Sequence, residues 1–295
     1  MLHSPLVVGV DGSDSSLHAL DWALAEAARH GLPLRLVHAS LWERYEGVRP
    51  AFAADRPADQ VMAEHIVASC AERVHARDPG VRVSADIVPE DPVSALLRAG
   101  QEAFAVVAGS RGRGALPGML LGSVGLGVAA RASCPVFVVR GPQDGGHGDA
   151  QDAQRVVVGV GEPADGTSAV RFALGEAEAR RCPLHAVRAW RHAARHRPGE
   201  EAAVEGSAQA EEERAAHLLS EVLRAAEADH GRSEVRRAVV EGAAHRVLLA
   251  ASANADLLVV GALRRHGHFG LQLGRVAHAL LHHADCPVAI VPRHA

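Results

Sequence analysis

Residues 6–16 read LVVGVDGSDSS. The unbroken apolar run Leu6–Val10 has the character of a strand buried on both faces, as in a parallel sheet. The abrupt change to Asp11-Gly-Ser-Asp14 marks a turn at its carboxyl end. The same run returns as Val156–Val160, VVVGV. Two more stretches return in the same order: Val106–Gly109, VVAG, as Leu258–Gly261, LVVG, and Cys134–Val139, CPVFVV, as Cys286–Val291, CPVAIV. The offset is 150 residues at the start and 152 at the end. Self-similarity at so constant an offset marks a duplicated unit of roughly 140 residues. The joint, GPQDGGHGDAQDAQ over residues 141–154, is rich in Gly and Asp, a linker composition. The expected organisation is therefore 1–141, a linker at 142–153, and 154–295.

Outward from the first strand, strand and helix alternate. Asp14 or Ser15 is placed to cap a helix carrying Leu17, Leu20, Leu24 and Ala27 at helical spacing, and Gly31 ends it. Leu34–Ala39 reads as the second strand. A helix is expected from about Asp59 to Arg77, with Val61, Ile66, Cys70 and Val74 inward. Val81–Val88 reads as the third strand, and Asp91-Pro92 opens a third helix, with proline in its first turn. Phe104–Ala108, Ser123–Arg131 and Pro135–Val139 read as strand, helix and strand. The β-α-β alternation predicts the α/β class: two tandem doubly wound domains, each a parallel sheet with helices on both faces.

Composition narrows the function. The chain has 295 residues, a net charge of −4 and 3% aromatics. Such a balance argues against a coat for nucleic acid or for anionic membrane. All 31 basic residues are Arg. Without lysine there is no Walker A lysine, no lysine Schiff base and no kinase strand lysine. No stretch approaches the ~20 apolar residues of a membrane span. The four cysteines form no C-x-x-C pair, so a reducing, cytoplasmic setting is expected.

In doubly wound sheets ligands bind beyond the carboxyl ends of the strands, where the winding reverses. Two segments belong there: Asp11–Asp14 after the first strand, and Gly109-Ser-Arg-Gly-Arg-Gly114 after the fourth, continuing to Gly122-Ser123. Glycines let successive N–H groups converge on an anion, by close approach or by φ > 0. Ser123, as N-cap, would add a hydroxyl and the positive end of a helix. Arg111 and Arg113 suit phosphate charge, and an acidic group at Asp11 suits a ribose hydroxyl or a Mg²⁺ ion.

The spacing Gly109, two residues, Gly112, nine residues, Gly122-Ser123 resembles the G-2x-G-9x-G-[S/T] pattern of the universal stress proteins. LVVGVDGSDSS, Leu36–Ala39 and Cys134-Pro-Val also resemble that family's opening, second and closing strands. The likeness covers nearly the whole chain outside the linker and is to tandem members of actinobacterial type. The resemblance implies five parallel strands in the order 3-2-1-4-5 in each unit, and ATP as ligand, with Mg²⁺ near Asp11 left open. Carried across, Asp11 and Val37 flank adenine and ribose, and Gly109, Gly112, Gly122 and Ser123 hold phosphates. Gly9, Ser110, Arg111, Arg113, Gly114 and Val124 complete the expected nucleotide-binding set. No catalytic residue is expected, and hydrolysis at most slow, because no nucleophile, base and orienter occur together. The alternatives are an interaction module without turnover and an adenine nucleotide alpha-hydrolase-like enzyme. The latter's loop signatures are missing.

The second unit departs from the pattern. Gly161 stands where Asp11 does, Arg264 where Gly112 does and Arg275 where Ser123 does. Nucleotide is therefore expected mainly in the first unit. His278 and His282, four apart on a helix, read as surface histidines. Cys134 and Cys286 read as small buried hydrophobes, and Glu211–Glu213 as a solvated helix start. The two closing strands, apolar and expected at sheet edges, invite pairing within one chain as a pseudo-twofold dimer. A further homodimer is left open.

Overall fold

The computed structural model describes residues 4–39, 58–112, 121–141, 155–192, 201–227, 234–262, 264–267 and 270–293. The chain divides into two compact units, Met1–Gly146 and His147–Ala295.

The first unit runs β1 (Leu6–Gly9), α1 (Asp14–His30), β2 (Leu34–Ala39), α2 (Ala58–Arg77), β3 (Val83–Val88), α3 (Pro92–Ala99), β4 (Ala105–Gly109), α4 (Ser123–Arg131) and β5 (Val136–Val139). All its strand pairs are parallel, in the order β3-β2-β1-β4-β5. β1 is thus flanked by β2 and β4, with Leu6 opposite both Leu34 and Ala105. Leu6, Val7 and Val8 are fully buried, as a strand covered on both faces requires. Trp22 of α1 lies against Phe137 of β5, ring centroids 4.8 Å apart. α1 and α2 are tied by Asp21, whose carboxylate accepts from Arg73 Nε and Nη2 at 2.7 and 2.6 Å.

The second unit runs β6 (Val156–Gly159), α5 (Pro163–Arg180), β7 (Leu184–Trp190), α6 (Glu201–Glu227), β8 (Val235–Glu241), α7 (Ala244–Ser252), β9 (Leu257–Gly261), β10 (Arg264–Gly267), β11 (Gly270–Leu273), α8 (Arg275–His283) and β12 (Val288–Val291). Its parallel order is β8-β7-β6-β9-β12, the same winding. It adds the antiparallel hairpin β10–β11 between β9 and α8.

Several local expectations shift. The cap of α1 is Ser13, not Asp14 or Ser15; its Oγ accepts from Ser16 N–H at 3.2 Å. Asp11 decides this by accepting from both the N–H and the hydroxyl of Ser13, at 3.0 and 2.6 Å. Gly31 closes α1 in the left-handed region, φ 64°. Val61 is not inward but 49% exposed. The buried stripe of α2 runs through Ala63, Ile66, Val67, Cys70 and Val74, and Val61 lies about 200° around the helix from Ala63. β3 begins at Val83 rather than Val81, whose N–H instead closes a turn to Asp78 O. α4 has Gly122 as N-cap, so Ser123 is the first helical residue, not the cap.

Candidate functional site

A cavity of about 350 Å³ opens at the carboxyl ends of β1, β2 and β4 in the first unit. Each wall follows from the winding. β1 and β4 leave their shared edge in opposite directions, so the loops after them part and expose strand ends. β1 contributes Gly9, Val10 and Asp11; β2 contributes Val37 and Ala39; β4 contributes Ala108 and Gly109. Pro92 and Leu96 of α3 form a further apolar wall. Arg111, Gly112, Gly122, Ser123 and Val124 complete the other end.

The Asp11 turn is preorganised. While Oδ1 holds Ser13, Gly12 takes φ 76° to let the chain reverse into α1. Ser16 closes the turn from behind: its hydroxyl donates to Ser13 O at 2.9 Å and accepts from Asp11 N–H at 3.4 Å. His38 Nδ1 donates to Val10 O at 2.7 Å, which fixes the end of β1 from the neighbouring strand. The glycine loop is pinned at both ends. Gly122 N–H donates to Ser110 O at 2.7 Å, and Arg111 N–H donates to Ser15 Oγ at 3.1 Å.

The first helical bond of α4 is Leu126 N–H to Gly122 O. The N–H groups of Ser123, Val124 and Gly125 therefore have no intrahelical partner. Gly122 supplies no side-chain cap, so the positive end of the helix is open to the cavity. A Cβ at Gly112 would lie 2.8 Å from Asp11 Oδ2, so the loop backbone passes directly over that carboxylate. The glycines on this loop have no positive φ among the described residues; what they provide is close approach.

Of the residues expected from sequence, Gly9, Asp11, Val37, Gly109, Arg111, Gly112, Gly122, Ser123 and Val124 line the cavity together. Ser110 does not. It is 2% exposed and holds the loop ends through Val139 O and Gly122 N–H. Arg113 and Gly114 lie outside the described residues. Sequence reasoning missed Pro92 and Leu96. The signal was the strand order itself, since the connection from β3 to β4 must pass over β1.

The corresponding region of the second unit is built differently. Its turn after β6 has Gly161 in place of the carboxylate and is held from outside. Arg188 donates to Gly161 O at 2.5 Å and to Glu162 Oε1 at 2.8 Å. The loop after β9 folds into β10–β11, Arg264 opposite Leu273, so its backbone groups face each other across a ladder. Elsewhere, Cys134 and Cys286 are buried thiols outside any disulfide, and burial pushes the Cys286 thiol up to about 12. Such a thiol is a core group and not a nucleophile. The rings of His278 and His282 stack at 4.5 Å. Among the described residues no helix is long and apolar enough to cross a membrane.

Compared with known proteins, residues 3–140 and 153–292 each match the Universal stress protein family. A universal stress protein of Mycobacterium tuberculosis is 33% identical over 303 residues, covering 97% of this chain and 96% of that protein. One of Mycolicibacterium smegmatis is 30% identical over 299 residues, covering 97% and 96%. Among solved structures, a universal stress protein of Archaeoglobus fulgidus aligns with a TM-score of 0.63 at 17% identity, covering 98% of both chains.

Proposed function

Because the chain belongs to the universal stress protein family, we propose that its first unit is an ATP-binding regulatory module, one that holds nucleotide rather than turning it over. The observation that carries the reading is the composition of the first cavity: an apolar slot at one end and an uncapped helix start beneath a glycine loop at the other. Val37, Ala39, Pro92 and Leu96 suit the faces of adenine. Asp11, on the cavity wall at the carboxyl end of β1, is placed for a ribose hydroxyl. The N–H groups at the start of α4 and the close-passing backbone at Gly112 suit phosphate oxygens. Arg111 supplies a guanidinium for their charge.

The fit extends to Mg²⁺, which is commonly held by one carboxylate with phosphate oxygens and waters. Asp11 is the carboxylate among the lining residues. Turnover is a different matter. The lining hydroxyls and carboxylate are engaged in the β1–α1 turn or stand at a helix start, and no histidine lines the cavity among the described residues. A positioned base for water is what fast hydrolysis would need. The reading is tested by denaturing the purified chain and analysing the released small molecules by mass spectrometry. ATP should be recovered, or ATP added to nucleotide-free chain should release binding heat. A chain that neither carries nor takes up adenine nucleotide overturns it.

A further inference from the structure

Ser15 stands in the first turn of α1 and does not line the first cavity. It is not the cap of α1, a task that falls to Ser13. Its hydroxyl does something else: it accepts the N–H of Arg111 at 3.1 Å, across 96 residues of chain. The β1–α1 turn and the glycine loop are thereby joined at the level of their backbones. The same closeness shows at Gly109, where an added Cβ would lie 2.7 Å from Ser15 O and Oγ.

The polar groups of the loop are committed in sequence. Ser110 N–H goes to Val139 O at 2.8 Å, Ser110 O takes Gly122 N–H at 2.7 Å, and Arg111 N–H goes to Ser15. The next donor along, Gly112 N–H, has no acceptor among the described residues. It springs from the residue that Ser15 holds, and a Cβ at Gly112 would lie 2.8 Å from the Asp11 carboxylate. A hydrogen bond to Arg111 therefore sets where the loop backbone lies relative to Asp11.

The second unit supports the same point from the opposite side. Pro163, Asp165 and Gly166 stand where Ser13, Ser15 and Ser16 do. The three hydroxyls of the turn are gone together in the unit whose loop after β9 pairs with itself. An acidic residue at the place of Ser15 would also oppose phosphate charge.

We propose that Ser15 is a positioning residue for phosphate: its hydroxyl fixes the glycine loop over Asp11 before nucleotide arrives, so the ordering of that loop is not left to the binding step. The proposal rests on the reading of the first cavity as a nucleotide site, and it adds a residue outside the cavity wall that acts through Arg111 and Gly112.

The test titrates ATP and adenosine separately into the full chain and its Ser15→Ala variant, and follows exchange of the Arg111 amide by NMR in both without ligand. The variant removes one hydroxyl from a half-buried residue, so its melting temperature should stay close to the parent's. Arg111 amide exchange should quicken, and ATP should bind roughly 5-fold more weakly, the scale of one hydrogen bond. Adenosine, which has no phosphate to place, should not share that loss. Unchanged exchange at Arg111, unchanged ATP affinity, or an equal loss for ATP and adenosine overturns the proposal while leaving the nucleotide reading standing. A parent chain that takes up no ATP overturns the nucleotide reading, and the proposal with it.

Discussion

A methyl group added at Gly109 would lie 2.7 Å from both the carbonyl and the hydroxyl oxygen of Ser15. One added at Gly122 would meet nothing nearer than 3.6 Å. Both positions belong to one motif, yet they answer to different demands. Gly109 makes room for the start of α1 against β4, whether or not a ligand is present. Gly122 has φ −79° and ψ 157°, a conformation that any residue adopts. Its lack of a side chain serves the space above α4. Gly109→Ala should therefore lower stability by roughly 1–3 kcal/mol, the usual cost of overpacking against backbone. Gly122→Val should leave the melting temperature close to that of the parent and weaken ATP at least 10-fold, about 1.4 kcal/mol. Calorimetric unfolding and ATP titration of the two variants separate these effects. Equal loss of stability in both would sink the distinction.

Elements show where sequence reading succeeds and where it stops. The strands were legible because residues buried on both faces must be apolar throughout, and LVVG, VVAG and VFVV leave no other reading. The end of α1 was legible because Gly31 is local chemistry. The role of α3 was not. Asp91-Pro92 announces its start, but that Leu96 covers a ligand slot depends on strand order, a long-range property. The β10–β11 hairpin was missed because its turn chemistry is carried by only four residues on each side, without clear alternation. Val61 was misplaced because the apolar positions of α2 allow two phases, and only packing selects one.

The cap of α3 offers a pH test at this scale. The hydroxyl of Ser94, then its backbone N–H, then that of Val93, together with nearby Arg131, hold the Asp91 carboxyl below its ordinary value. A lowered folded value means that the ionised form stabilises the fold. That contribution is fully present above the ordinary carboxylate range and is lost as pH falls through the folded value. Asp91→Ala should cost about 1 kcal/mol at neutral pH. The gap between variant and parent, followed by denaturant unfolding, should narrow below about pH 4. A gap that is constant down to pH 3 would mean that the carboxylate charge is not what stabilises the helix start.

For the whole molecule, duplication has given two units of one winding and two different chemistries. The first keeps the carboxylate turn, the loop glycine and the helix-start hydroxyl at Asp11, Gly112 and Ser123. At the equivalent positions the second has Gly161, Arg264 and Arg275. The structural consequence is larger than three substitutions. The loop after β9 pairs with itself as β10–β11, so backbone groups that would face phosphate are committed to a ladder. Meanwhile the turn after β6 is braced by Arg188, through Gly161 O and the Glu162 carboxylate, with no carboxylate at the position of Asp11. A ladder bond contributes only about 1 kcal/mol net, but each N–H it uses is one that a phosphate cannot reach. ATP titrated into the full chain should therefore bind with a stoichiometry near one. The Gly122→Val chain should lose that binding, because no second site of similar strength remains. Gly274→Val, at the equivalent place in the second unit, should change neither stoichiometry nor affinity. A stoichiometry near two, or a Gly122→Val chain that still takes one ATP with the parent's affinity, would show that the second cleft has kept its function despite its altered loop.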